Sequence, residues 1–217
     1  MNGSAVEELA LQAKTLMISA LGLVALIPGP DRKGNLRVKG VLGSAITYLG
    51  IVLLLAPWIA LPFLPQPRYF GTVRSLLQAL GALFLVLAII LYLTSLRHLL
   101  PAFREQFSEF TPSSLVDSGP YRAVRHPIYL SALLLATGLC LVRSASMSIL
   151  FLPILWALLR GVILYEERRI LIPKFGEQYL QYRSKVRRAI LGPSGGILAG
   201  CLYIPLASMT LIPLLTR

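Results

Sequence analysis

Residues 75–97 read SLLQALGALFLVLAIILYLTSLR, an apolar run with no charged side chain before its last residue, Arg97. About 20 such residues in a helix span the hydrocarbon core of a bilayer, and in lipid only a helix or a closed barrel satisfies its own backbone hydrogen bonds. Comparable runs near residues 9–27, 41–64, 127–142, 145–165 and 196–215 predict an all-α fold: a polytopic membrane helical bundle of about 5–6 membrane helices. Hydrophobic residues make up 56% of the 217 positions, with a mean hydropathy of +0.72. That composition leaves no room for a second soluble domain, so residues 1–217 are read as a single membrane domain.

The charged residues refine this picture. The net charge of +12 comes from Lys and Arg gathered in short segments between apolar runs, where they orient membrane proteins and meet lipid headgroups; no nucleic-acid partner is expected. Arg32, Lys33, Arg37 and Lys39 fill the first loop, Arg97, Arg104, Arg122 and Arg125 the third, and Arg168, Arg169, Lys174, Arg183, Lys185, Arg187 and Arg188 the fifth. Only Arg68, Arg74 and Arg143 fall in the other two loops. The asymmetry places the first set in the cytosol, and the membrane is read as a bacterial inner membrane, or endoplasmic reticulum in a eukaryote. The first apolar run follows Glu7 and Glu8 without a basic n-region and ends at Pro28-Gly29-Pro30, which reads as a retained span.

Arg143-Ser144 alone separates the fourth and fifth runs, predicting a tight helical hairpin that either crosses or re-enters the membrane, with Pro153 kinking its second arm. Gly43, Gly50, Gly81 and Gly138 are expected to permit close helix approach. Cys140 and Cys201 both fall in apolar runs, which gives neither a disulfide framework nor a metal site.

Polar chemistry concentrates in two segments: residues 119–129, GPYRAVRHPIY, and residues 166–182, opening with Glu166-Glu167 and closing with FGEQYLQY over 175–182. Pro127 suits the first position of a helix, so His126 marks a helix start whose free N–H groups and positive dipole end favour an anionic group. Tyr121, His126 and Tyr129 surround that start, and Arg122 and Arg125 add positive charge. A plainer reading has His126 only capping the helix and the arginines holding lipid phosphate.

Glu167, turned inward among apolar helices, needs a cationic partner, which a ligand's ammonium or sulfonium would supply. Arg160 lies seven residues earlier, about 10 Å deeper on the same face at ~1.5 Å per residue; its plainer role is to snorkel toward headgroups. Phe175, Tyr179 and Tyr182 recur at i, i+4 and i+7, predicting a cytoplasmic amphipathic helix, or a helix pair broken at Pro173 and Gly176, against the membrane or over the site. His98 is read as a charge at a helix C-terminus.

On these residues the chain resembles the isoprenylcysteine carboxyl methyltransferase and phospholipid methyltransferase superfamily of integral membrane enzymes. The resemblance covers roughly residues 75–190 and rests on the two-part pattern from Leu115 to Tyr129 and from Glu166 to Tyr182. It implies a methyltransferase core over 75–190, with 195–217 as an extra C-terminal apolar helix. It also implies S-adenosyl-L-methionine as cofactor and a lipophilic acceptor entering from the bilayer.

Carried over, the cofactor contacts fall on Gln106, Ser113, Ser114, Leu115, Val116, Tyr121, His126, Pro127, Ile128, Tyr129 and Glu167; Arg160, expected from its own position to orient the acceptor head, and Glu167 are read as the catalytic pair, with no metal. The family often has histidine where Ser113 stands. The isoprenylcysteine enzymes carry a substrate-binding arginine four residues before the glutamate, where this chain has Ile163.

The expected activity is methyl transfer to a prenylcysteine-like carboxylate or related small lipid, with phospholipid N- or thiol S-methylation as the alternative. Two readings of other classes compete. Sterol reductases share an R-H-P-x-Y segment but use NADPH and typically have asparagine where Ile128 stands. A lipid-binding membrane protein would keep the fold without the chemistry.

Overall fold

Long apolar segments, interrupted where glycine, proline and serine cluster, decide where the helices run. The computed structural model describes residues 3–26, 41–69, 71–103, 113–192, 200 and 203–210. In order come α1 (Gly3–Leu26), α2 (Val41–Ala60), a 3-10 turn (Leu61–Phe63), α3 (Gly71–Phe103) and a second 3-10 turn (Gly119–Arg122). Then follow α4 (Pro127–Val142), α5 (Ser146–Glu166), a π-helical turn (Glu167–Leu171) and α6 (Ile172–Lys185); residues 203–210 are also helical. Among the described residues there is no strand, only an isolated bridge between Arg68 and Ala145. The fold is all-α.

α4 has the bounds its apolar run predicts. α3 is longer than the 75–97 run because Arg97 and His98 do not end it; the helix continues to Phe103 with Pro101 inside. Two described helical stretches are long and apolar enough to cross a membrane, Gly71–Ala102 and the continuous run Ser146–Lys185, with shorter apolar helices at Val52–Phe63 and Pro127–Val142. Leu76, Leu83, Val86, Ile89, Ile90 and Leu93 leave an exposed apolar face along α3, suited to acyl chains.

Glycine sets the closest helix contacts. A Cβ on Gly81 of α3 would stand 2.6 Å from the Val142 nitrogen and 2.8 Å from the Gly138 carbonyl oxygen of α4. Gly22 of α1 meets Gly50 and Leu54 of α2 in the same way, and Ser19 Oγ donates to the Leu54 carbonyl at 3.0 Å. The side-chain surroundings of Gly43 lie outside the described residues. The central core joins Trp58, Leu61, Leu133, Leu155, Leu159 and Ile163 with Ala189 and Ile190 from beyond α6.

The α4–α5 hairpin forms as predicted, turning at Ser144 with φ +52°; the Ala145 N–H donates to the Cys140 carbonyl at 2.9 Å. Residues 203–210 dock at this end: Tyr69 Oη donates to the Leu206 carbonyl at 2.7 Å, and Tyr203 Oη to that of Leu150 at 3.0 Å. The remainder of the predicted sixth run, including Cys201, lies outside the described residues.

Gly81→Leu is expected to force α3 from α4 and lower stability by about 1–3 kcal/mol, the usual cost of overpacking. Gly161→Ala, where nothing lies within 4 Å, should be neutral or slightly stabilising through helix propensity. Thermal unfolding in detergent, followed by size-exclusion fluorescence, separates the two.

Candidate active site

Along α5 and the π turn that follows it, Leu155, Leu159, Ile163, Glu167 and Leu171 repeat every four residues and are all buried. An i, i+4 row drifts around a 3.6-residue helix, and the wider π turn swings it back; the Ile172 N–H reaches the Glu167 carbonyl in the π pattern. Four of the five are aliphatic. The fifth is a carboxylate, Glu167, only 2% exposed.

Its partner comes from the start of α4. Arg125 Nε donates to Glu167 Oε1 at 2.8 Å, and Arg125 Nη1 donates to the carbonyls of Val186 and Arg187, each at 2.8 Å. The Arg125 and His126 N–H groups donate to the carbonyls of Arg188 and Ala189 at 2.8 and 2.9 Å. Residues 186–189 thus return beneath the α4 start before Ile190 enters the core. The sequence reading looked to a ligand for the cation that Glu167 requires, and the chain supplies it; Arg183 Nε adds a second at 3.9 Å from Glu167 Oε2.

His126 precedes Pro127 as the N-cap residue, with φ −126° and ψ 66°, but its side chain makes no capping bond. The imidazole instead lies between two carboxylates: Nε2 is 3.1 Å from Glu167 Oε1 and Nδ1 is 3.7 Å from Glu166 Oε2. The plainer reading of His126 as a cap is therefore not what the geometry shows. Tyr129 stacks beside it, ring centroids 5.7 Å apart.

Burial, followed by the charge of Glu166, raises the Tyr121 hydroxyl well above its ordinary pKa, keeping it neutral. Glu166 Oε2 is buried with no hydrogen-bond partner among the described residues. The N–H groups of Ile128 and Tyr129, in the first turn of α4, have no intrahelical acceptor.

Two further features hold this arrangement. Gly119 has φ +56°, and a Cβ there would lie 2.5 Å from the His98 ring, so a larger residue would be both strained and crowded. His98, which lies inside α3 and not at its end as expected, supports the turn instead; its Nδ1 is 2.8 Å from the Thr94 carbonyl. From the other side Tyr182 Oη donates to the Tyr121 carbonyl at 2.8 Å. Leu171, Tyr179 and Tyr182 pack with Leu115 and Phe175, so the predicted amphipathic helix covers the site. Gly176, at φ +51°, breaks it.

Tyr121, His126, Pro127, Tyr129 and Glu167 are therefore brought together, with Ile128 half-buried on the same turn. Ser113 is committed elsewhere: its N–H and Oγ donate to the Ala102 carbonyl at 2.7 and 2.8 Å, closing the end of α3. Ser114 is exposed and Val116 half-buried. Gln106 lies outside the described residues. Arg160 is half-buried, without a hydrogen bond or ion pair among the described residues, while Ile163 is fully enclosed. The sequence reading gave Arg125 only general positive charge and missed residues 186–189. The signal for Arg125 was present, since it adjoins His126 in the same motif and an inward Glu167 demands a cation.

Residues 76–178, which include the His126 turn and both glutamates, match the sequence model of the phospholipid methyltransferase family. Over these 103 of its 217 residues the chain is similar to that family of membrane methyltransferases. No curated protein and no solved structure matches it. The family match supports an enzyme that methylates a lipid-like substrate, in keeping with the apolar helices.

Arg125→Met should strand the Glu167 carboxylate and cost about 3–5 kcal/mol, the usual penalty for breaking a buried ion pair. The double variant Arg125→Met/Glu167→Leu should recover much of that loss. A double-mutant cycle on thermal stability reads the coupling.

Proposed function

We propose that the protein transfers a methyl group from S-adenosyl-L-methionine to a lipophilic acceptor at the His126–Glu166–Glu167 cluster. The observation that carries this reading is the buried Glu166 Oε2, without a hydrogen-bond partner among the described residues and 3.7 Å from His126 Nδ1, beside the open first turn of α4. Such a pair fits a ligand with a cationic and an anionic group on one short chain. Glu166 would meet the ammonium or sulfonium, the N–H groups of Ile128 and Tyr129 the carboxylate, and Tyr121 and Tyr129 would offer aromatic faces. Glu167, already paired within the chain, holds His126 in place and acts on the ligand through it. Leu115 and Val116 complete the apolar side, with Ser114 at the mouth.

Bound there, S-adenosyl-L-methionine supplies an activated methyl for direct displacement. The protein contributes alignment and exclusion of water, which Tyr179, Tyr182 and α6 provide by covering the site.

The acceptor reading follows from α5. Ile163, where the isoprenylcysteine enzymes carry arginine, packs in the core and offers nothing to a carboxylate. Arg160 is the nearest substitute for orienting a polar head. This favours a lipid amine, thiol or small lipid over a prenylcysteine carboxylate bound in the usual way. The chain is read as one membrane domain of five or six helices with the cluster facing the cytosol, on the distribution of Lys and Arg.

Isothermal titration of the purified protein should detect S-adenosyl-L-methionine binding, weakened about tenfold or more in Glu166→Gln and His126→Ala by loss of contacts to a charged group. Undiminished binding in both variants would refute the assignment.

A further inference from the structure

The end of the bundle away from the cluster gathers positive charge that, among the described residues, no carboxylate meets in an ion pair. Backbone bonds fix the connector before α3 onto the α4–α5 turn: the Tyr69 N–H donates to the Ser144 carbonyl and the Ser146 N–H to that of Pro67, both at 3.2 Å. Buried Gln66 reinforces them, accepting from the Ser148 N–H at 2.9 Å and donating to the Leu61 carbonyl at 2.8 Å. This framework holds Arg68 beside Arg143, with Arg68 Nη1 donating to the Arg143 carbonyl at 2.6 Å. Arg74, exposed on the first turn of α3, is the third cation of the group.

Burial, then the like charges of Arg143 and Arg74, lower the pKa of Arg68. The antiparallel α1–α2 pair brings Glu7 and Glu8 to the same end, yet neither forms an ion pair with these arginines among the described residues.

We propose that Arg68, Arg74 and Arg143 form a binding site for the phosphate of an anionic phospholipid in the leaflet opposite the methyl-transfer cluster. Guanidinium groups suit phosphate oxygens, and three of them at one end of the bundle favour an anion. The surroundings select a lipid over a free ion. The Arg143 guanidinium lies 4.9 Å above the Phe63 ring, and Phe63 and Leu76 are 54% and 66% exposed, an apolar surface that acyl chains would cover. The cations also stand where α3 and the α4–α5 hairpin end, at headgroup level for helices of this length.

Native mass spectrometry of the full chain with phosphatidylglycerol or phosphatidylcholine tests the site. Phosphatidylglycerol should be retained preferentially, and Arg74→Gln and Arg143→Gln should each weaken it by about fivefold, the usual contribution of one basic side chain at an anionic membrane surface. Neither substitution removes a hydrogen bond that holds the framework. Arg122→Gln, exposed at the other end, and His126→Ala should leave retention unchanged, which separates this site from the methyl-transfer cluster. Equal retention of the two lipids, an equal loss with Arg122→Gln, or displacement by inorganic phosphate alone would overturn the proposal.

Discussion

A carboxylate enclosed among apolar helices is unfavourable unless a cation reaches it with good geometry, and Arg125 meets that requirement for Glu167. Its guanidinium does more than neutralise charge. One face binds the carboxylate from α5, another binds the carbonyls of Val186 and Arg187, and the backbone on either side of its Cα continues the seam to Arg188 and Ala189. The start of α4, the end of α5 and the chain beyond α6 are thereby fixed to one another. His126 inherits its position from this junction, and Glu166 its place beside His126.

The site's chemical character follows from the same constraint. Because Arg125 already occupies Glu167, the proposed ligand contact falls to its neighbour Glu166, whose buried Oε2 has no hydrogen-bond partner among the described residues. In that proposal the two adjacent glutamates divide the work, one toward the fold and one toward the ligand. The family match covers the start of α4 and the end of α5 and stops at residue 178, before the carbonyls of residues 186–189 that complete the junction. The enclosed Ile163, one turn before Glu167, is the reason the proposed acceptor is not a prenylcysteine carboxylate bound in the usual way.

Much of this was legible in the sequence because the signals were local. Pro127 fixed the start of α4, the short Arg143-Ser144 link fixed the hairpin, and the spacing of Phe175, Tyr179 and Tyr182 fixed the buried face of α6. The small residues at Gly81 and Gly138 marked a true helix contact. What escaped was long-range. No periodicity announces that residues 186–189 fold back under α4, and carbonyl acceptors carry no sequence signature. The π turn at Glu167–Leu171 was equally silent, since its apolar spacing differs from an α-helix by only one residue. The bond of the Ser113 hydroxyl to the Ala102 carbonyl at the end of α3 was silent for a related reason: it is set by the path of the chain and not by its motif.

The central claim is that this junction supports methyl transfer to a lipophilic acceptor. Incubating the full-length protein in lipid with methyl-labelled S-adenosyl-L-methionine and host membrane extract, then resolving the labelled products, tests it most directly. The account predicts label in an organic-soluble product, lost in the Glu166→Gln variant although that protein remains folded. Failure of the intact protein to label any lipid or thiol, or equal labelling by the variant, would contradict it.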